Sequence, residues 1–217
     1  MYETTNTSTG SYSSSVEVSK VLRNTYALLA MTILFSAFTA TISVVAGLPS
    51  FGLLILLPYI ALLFAIEKTK NSVWGIVWTF ALTGMMGLTL GPLVSYSIGT
   101  NGFGPLIMAL GGTAAIFFGL SAYILITKKD MSKMTGFIMT GLIIMFVAGI
   151  ANVFLQISAL ALVVSCGFLL LSSLLIMWQT SNIIHGGERN YISATVTLYI
   201  SLYNIFTILL SFLSGDD

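Results

Sequence analysis

Charged side chains are scarce in this sequence. Asp, Glu, Lys and Arg make up 7% of its 217 residues, whereas a soluble domain carries about 25%. So few charges cannot cover a surface that faces water. Because 57% of the residues are hydrophobic and roughly 20 apolar residues span a membrane as one helix, the composition excludes an ordinary soluble domain. It predicts an all-α, polytopic membrane protein that lies in a lipid bilayer.

Cysteine and histidine are nearly absent as well. The one cysteine, Cys166, excludes an intrachain disulfide and a metal cage built from cysteines alone. The one histidine, His185, lies in a loop, where histidine is more often solvated or helix-capping than catalytic. A net charge of +1 provides no basic field for nucleic acid. We therefore expect no metal, no cofactor and no nucleic-acid partner.

Catalytic motifs are missing too. No ionisable residue lies within the proposed hydrocarbon core, which disfavours a proton-coupled pump and an intramembrane aspartyl protease, since both depend on such residues. Phosphate-binding glycine motifs and His-Glu-x-x-His are missing, and Gly102-Phe103-Gly104 fails the dinucleotide spacing. We expect no catalytic residues and a protein that is not an enzyme.

Seven apolar runs predict a bundle of seven transmembrane helices. The second run is short and contains Pro58, so it must be tilted, extend back past Pro49 or be irregular in the middle. The fifth and sixth runs are separated only around Gln156 to Ser158, which predicts a tight hairpin. The predicted spans are 24–46, 52–66, 73–96, 105–126, 135–155, 157–178 and 191–213.

The first residues differ in kind from the rest. The segment from Met1 to Ser19 is rich in Ser, Thr and Asn and has no apolar periodicity, so it has nothing to bury and is predicted to be a disordered tail. It lacks the charged start and apolar core of a cleavable signal peptide, and we expect the first span to stay as an uncleaved anchor. The predicted organisation is a tail, 1–19, and a seven-helix domain, 20–217.

The basic residues predict the orientation. All 8 lie on one side of the seven-span arrangement, and short loops rich in Lys and Arg stay in the cytoplasm. The N-terminus is therefore predicted to be cytoplasmic and the C-terminal Asp216-Asp217 to lie outside, in a bacterial inner membrane. The basic residues are Lys20, Arg23, Lys68, Lys70, Lys128, Lys129, Lys133 and Arg189.

Uncharged polar groups recur at helical spacing. In the seventh span, Thr197, Ser201, Asn204 and Ser211 fall on one face. They either hydrogen-bond neighbouring helices, which we favour because membrane bundles commonly do so, or line an internal path for water or ions. Asn152 and Gln156 end the fifth span, and Gln179 ends the sixth.

Small residues form two stripes. Gly84, Gly87 and Gly91 lie on one face of the third span, and the fourth span carries a second stripe. Small residues let helix backbones approach within a membrane, so packing inside the bundle is the favoured interpretation of both. A face that pairs two copies of the chain is the alternative, and the oligomeric state stays open. The second stripe is Gly111, Ala115 and Gly119.

Several segments resemble the Bax-inhibitor-like family of seven-span membrane proteins. Residues 87–93, GLTLGPL, and 109–117, ALGGTAAIF, are similar to the signature of that family. Residues 180–192, TSNIIHGGERNYI, and 198–206, LYISLYNIF, resemble its branch of bacterial modulators of the FtsH protease. The similarity extends from residue 20 to the end of the chain.

The resemblance implies an inner-membrane protein that binds FtsH, a membrane-anchored ATP-dependent protease, and slows its degradation of other membrane proteins. A protease that unfolds its substrates needs a flexible end to engage. The tail from Met1 to Ser19 is therefore predicted to be the handle that the protease grips.

Other members of the family leak calcium through a site gated by two carboxylates, so an ion leak is the alternative function. Alignment through the Tyr-x-x-x-Tyr-Asn stretch, which includes Asn204, puts the carboxylate positions at Gln179 and Ser201. An amide and a hydroxyl do not share a proton or attract a divalent cation as two carboxylates do. The substitution disfavours pH-gated calcium leakage in this chain.

Overall fold

The computed structural model describes the backbone of residues 7–215 and the side chains of residues 16–215. Within this range the chain forms seven long α-helices and no strand. Each predicted span is confirmed as a helical segment long and apolar enough to cross a membrane. The helices are α1 (Thr7–Ala46), α2 (Leu56–Thr69), α3 (Val73–Asn101), α4 (Gly104–Thr127), α5 (Thr135–Leu155), α6 (Ser158–Ile184) and α7 (Tyr191–Ser214).

Helix α1 begins earlier than the sequence predicted. Its backbone is helical from Thr7, whereas the sequence predicted a disordered tail through Ser19; the division into a tail, 1–19, and a seven-helix domain, 20–217, stays a prediction. Extending a formed helix costs much less than starting one, and the long apolar span supplies a formed helix next to these polar residues. Residues 1–6 lie outside the described residues, and the cytoplasmic position of the tail stays a prediction.

The second span is irregular at its start. A short 3-10 helix, Gly52–Ile55, leads into α2, and Pro58 is the third residue of α2. The first turn of an α-helix has N–H groups without partners inside the helix, so proline fits there. The irregularity therefore lies at the start of the span and not in its middle, the helix does not extend back past Pro49, and a tilt stays a prediction.

The tight hairpin between α5 and α6 is confirmed. Gln156 adopts a left-handed conformation, with φ 54°, and its N–H donates to the Asn152 carbonyl at 2.8 Å. The Asn152 side chain accepts from the Ile157 N–H at 3.1 Å. Asn152 and Gln156 thus close the turn and, on this geometry, have a structural role.

Helix α7 lies at the centre of the bundle. It packs against α1, α3, α4 and α6, and its buried side chains include Leu198, Ile205 and Leu210. Helices α2 and α5 are peripheral, since α2 packs mainly on α3 and α5 on α6. We call the end of the bundle that carries the basic loops the basic end.

The glycine stripe of α3 brings this helix into close contact with α1. A Cβ added to Gly87 would overlap the Thr39 hydroxyl and the Ser36 carbonyl, and one added to Gly91 would overlap Ser43. The predicted packing role of this stripe inside the bundle is confirmed. We call this contact the α1–α3 seam.

The stripe of α4 faces outward instead. Gly111, Ala115 and Gly119 are all exposed, and a Cβ at either glycine would meet nothing within 4 Å. The prediction that this stripe packs inside the bundle is wrong. A different face of α4, which carries Phe117 and Ile124, is buried, and α4 packs against α6 and α7.

Candidate functional site

Two tyrosines of α7 organise the polar interior of the bundle. The Tyr199 hydroxyl lies 2.6 Å from the Ser36 hydroxyl of α1 and donates to the Thr83 carbonyl of α3 at 3.2 Å. One turn further along, the Tyr203 hydroxyl lies 2.8 Å from that of Thr89 on α3. Their spacing of four residues puts both rings on one face, so α7 is hydrogen-bonded to both sides of the α1–α3 seam.

The predicted polar face of α7 does not form these contacts. Ser201 donates to the Thr197 carbonyl at 2.8 Å, and Thr197 donates to the Ser193 carbonyl at 3.1 Å. These hydroxyls are satisfied by their own helix. Asn204 and Ser211 are half-buried. The hydrogen bonds that join α7 to the α1–α3 seam come instead from the two tyrosines. Tyrosine counts among the hydrophobic residues, so the polarity pattern did not mark them.

Gln179 lies inside the bundle, although the sequence placed it at the end of a span. Helix α6 continues to Ile184, Gln179 is 2% exposed, and its amide nitrogen has no hydrogen-bond partner among the described residues. Ser201 is fully buried. The structure describes no hydrogen bond between Gln179 and Ser201, so their role as a pair stays a prediction.

Gln179 belongs to a set of buried polar atoms without partners. They are carried by α1, α4 and α6; α6 packs against both of the other helices, and the Tyr26 ring of α1 lies 5.7 Å from the Phe117 ring of α4 between centroids. An unpartnered buried polar group is costly, so such a set suits water inside the bundle. The other members are Thr25, Tyr26, Ser121, Ser172 and Thr180.

Asn190 joins two loops at the basic end. Its side chain accepts from the N–H groups of Ile192 and Ser193 at 2.9 and 3.1 Å, which caps the start of α7. Its amide group also donates to the Lys70 carbonyl and to the Asn71 side chain, both at 2.9 Å. One residue thus starts the central helix and holds the loop between α2 and α3.

Ser181 holds the loop between α4 and α5 in the same way. Its hydroxyl donates to the Lys129 carbonyl at 3.0 Å and accepts from the Met131 N–H at 2.9 Å. His185 is exposed, and its Nδ1 donates to the Ser181 carbonyl at 2.8 Å. The histidine therefore caps the end of α6, which is one of the roles that the sequence favoured.

The neighbouring Asp130 carboxylate is held locally. The Ser132 N–H donates to it at 2.8 Å, and this bond lowers the pKa of the Asp130 carboxyl because it favours the charged form. Its stabilising effect is present at neutral pH and is lost as the pH falls through the lowered pKa. The contacts of Ser181 and Asn190 with neighbouring loops give the 180–192 motif a structural role in connecting them.

The fold and its polar interior define a class: a seven-helix membrane protein whose central helix carries hydroxyl and amide groups. The family described as Inhibitor of apoptosis-promoting Bax1 matches residues 18–217, and the chain belongs to that family. This confirms the family resemblance found in the sequence.

Individual bacterial proteins also match most of the chain. The chain is 53% identical over 196 residues to an Escherichia coli K12 protein named Modulator of FtsH protease YccA, covering 89% of both chains. It is 50% identical over 206 residues to an uncharacterized Pseudomonas aeruginosa protein, covering 93% of both. A second Escherichia coli protein, also 53% identical over 196 residues and 89% of both chains, is named Inner membrane protein YccA. Together with the seven spans, these relatives identify a multi-pass protein of the bacterial inner membrane.

Proposed function

We propose that this chain binds an FtsH-type, membrane-anchored, ATP-dependent protease and inhibits its degradation of other membrane proteins. One observation carries the proposal: the chain is 53% identical, over 89% of both chains, to a protein named Modulator of FtsH protease. The shared region includes the helices and loops rather than one local motif.

The packing of α1 suits a chain that is slow to be pulled from the membrane. Extraction would separate the α1–α3 seam and break the Ser36 to Tyr199 bond of 2.6 Å. It would also break the bond from the Ser43 hydroxyl to the Leu88 carbonyl, at 2.7 Å. These groups would lose their partners together, so a protease that pulled from the N-terminus would be occupied for a long time.

The handle is the tail from Met1 to Ser19. The first buried side chain of α1 among the described residues is Thr25, and the described side chains before it are exposed or half-buried. A protease can therefore grip the tail, ahead of Lys20, without first separating a fully buried side chain. On the predicted orientation this segment is in the cytoplasm, where ATP is available.

The experiment compares two variants of the tail in native membranes that contain tagged protease. One lacks residues 2–15, and the control keeps the composition and length of residues 2–15 in scrambled order. We expect the deletion to abolish degradation of this chain and its competition with a second membrane substrate, and the scrambled tail to preserve both. Thermal unfolding in detergent should be the same for both variants, because the deleted residues precede the packed bundle.

The results separate the two parts of the proposal. If the deletion variant competes as well as the wild type, the handle is elsewhere. If the full-length chain neither co-purifies with the protease nor slows degradation of the second substrate, the partnership itself is wrong.

An ion leak is a second candidate function, favoured by the buried polar atoms without partners on α1, α4 and α6, among them the Gln179 amide nitrogen. Ser172 lies seven residues before Gln179 on α6, a rise of about 10 Å, so these groups extend from the basic end toward the middle of the bundle. Calcium flux into liposomes tests it: a leak predicts flux that Gln179→Leu lowers, with Gln156→Leu, in the exposed hairpin, as the matched control. Equal flux with and without protein excludes the leak.

A further inference from the structure

An open groove lies beside the start of α1 at the basic end. Its volume is about 880 Å³, and it occupies a gap between α1 and α4, which make no direct backbone contact in the described part of the chain. The Tyr26 and Phe117 rings meet at one end of this gap. We call it the α1–α4 groove; it is lined by Val16, Ser19, Lys20, Leu22, Arg23, Tyr26 and Leu125.

Two cations stand in this lining. Lys20 and Arg23 are three residues apart and therefore neighbours on the helix surface, and both side chains are exposed. The ion pair found among the described residues joins Lys70 to Glu67. Neither Lys20 nor Arg23 is therefore paired with a described carboxylate. Glu17, the nearest described acid in sequence, lines a separate small cavity beside Gly186, Glu188 and Arg189.

Further positive charge lies close by in the chain. Leu125 is followed within four residues by Lys128 and Lys129, at the end of α4. Asp130, the acid that comes next, is engaged by the Ser132 N–H at 2.8 Å. The lining of the α1–α4 groove therefore carries two cations, and the loop that follows Leu125 adds a net positive charge nearby in the chain.

The remaining wall is apolar. Leu125 is 37% exposed, and Leu22 and Tyr26 are half-buried. Cations at the mouth of the groove lie beside an apolar wall at the boundary of a membrane. This combination of charge and apolar surface is complementary to an amphipathic anion. A soluble phosphate would leave the wall uncovered, and a neutral lipid would leave the cations unpaired.

We propose that the α1–α4 groove binds one anionic phospholipid, with its phosphate at Lys20 and Arg23 and an acyl chain along Leu22, Tyr26 and Leu125. The lipid closes the gap that the protein leaves between α1 and α4. It also anchors the segment of α1 that precedes the packed bundle. On the predicted orientation the lipid belongs to the cytoplasmic leaflet, where anionic lipids attract basic segments.

The charge of the site is tested by native mass spectrometry of the purified full chain, with phosphatidylglycerol titrated against phosphatidylcholine. The wild type should retain one phosphatidylglycerol in preference to phosphatidylcholine. Lys20→Gln with Arg23→Gln should weaken this binding by on the order of tenfold. Lys68→Gln with Lys133→Gln removes the same charge from the same end, outside the groove, and should leave binding unchanged.

The shape of the site is tested separately. Leu125→Trp keeps both cations but fills the acyl-chain wall, so it should weaken phosphatidylglycerol binding; Leu22→Trp repeats the test from the other helix. Circular dichroism confirms that each variant is folded. The proposal is overturned if both charge variants lose lipid equally, which indicates a diffuse basic surface, if phosphatidylcholine is retained as well as phosphatidylglycerol, or if both Trp variants bind like the wild type.

Discussion

The two small-residue stripes look alike in the sequence and differ completely in the bundle. On α3, a side chain added to Gly87 or Gly91 would collide with α1. On α4, Gly111 and Gly119 face open space. Small residues therefore permit close packing without requiring it. What separates the stripes is whether a neighbouring helix lies in front of the face that carries them.

The largest effect is expected when a large side chain is added to each stripe. Gly87→Leu should destabilise the bundle by about 1–3 kcal/mol, at the upper end because part of the obstacle is the Ser36 backbone, which yields less than a side chain. Gly111→Leu is the matched control and should be close to neutral. The free energy of unfolding in mixed micelles measures both, and equal losses would contradict the assignment of the two faces.

The next test removes a hydrogen bond that holds α7 to the α1–α3 seam. Tyr199→Phe deletes the hydroxyl that lies 2.6 Å from that of Ser36 and should cost about 1 kcal/mol. Tyr123→Phe, on the exposed face of α4 at 43% exposure, should have no effect on the same unfolding measurement. A neutral Tyr199→Phe would show that this hydroxyl does not stabilise the seam.

A smaller effect is expected at Gly112, next to the outward stripe but on the inner side of α4. A Cβ there would lie 3.2 Å from the Leu209 Cδ1 atom of α7, a contact that a small side-chain movement can relieve. Gly112→Ala should therefore change the unfolding free energy by less than about 1 kcal/mol. A cost as large as that of Gly87→Leu would place α4 and α7 closer than the structure has them.

The smallest effect is expected for Gly111→Ala. No packing is lost, and alanine gains up to about 1 kcal/mol over glycine in helix propensity, so stability should be unchanged or slightly raised. Crosslinking in native membranes sharpens the comparison. If a second copy of the chain packs on this stripe, Gly111→Leu will reduce a crosslinked dimer and Leu125→Ala will not.

Much of the fold was predictable because lipid imposes a simple rule on sequence. A run long and apolar enough to span the membrane must satisfy its backbone groups within itself. All seven spans followed from this rule, and so did the hairpin at Gln156, where two runs are too close for a longer loop. The helical backbone before residue 20 was not predicted, because Ser and Thr indicate a loop only where no helix continues into them.

The candidate site was less predictable. Polarity marked Thr197, Ser201 and Asn204, but a hydroxyl in a helix can bond its own carbonyls, as Ser201 does. The hydrogen bonds that join α7 to the α1–α3 seam come from Tyr199 and Tyr203, which count among the hydrophobic residues. Two tyrosines four residues apart inside a span were the available signal, because a buried phenol needs a partner.

The sequence by itself determined that the chain crosses the membrane seven times, which family it resembles and which loops carry its basic residues, because composition and motif order are properties of the chain alone. Only the tertiary structure decided which glycine stripe has a partner helix, which hydroxyls join helices and which polar atoms remain unpaired. In this bundle both the exposed and the buried sides of the helices carry many apolar side chains. Hydrophobicity therefore does not distinguish inside from outside, and that choice depends on how neighbouring side chains fit together.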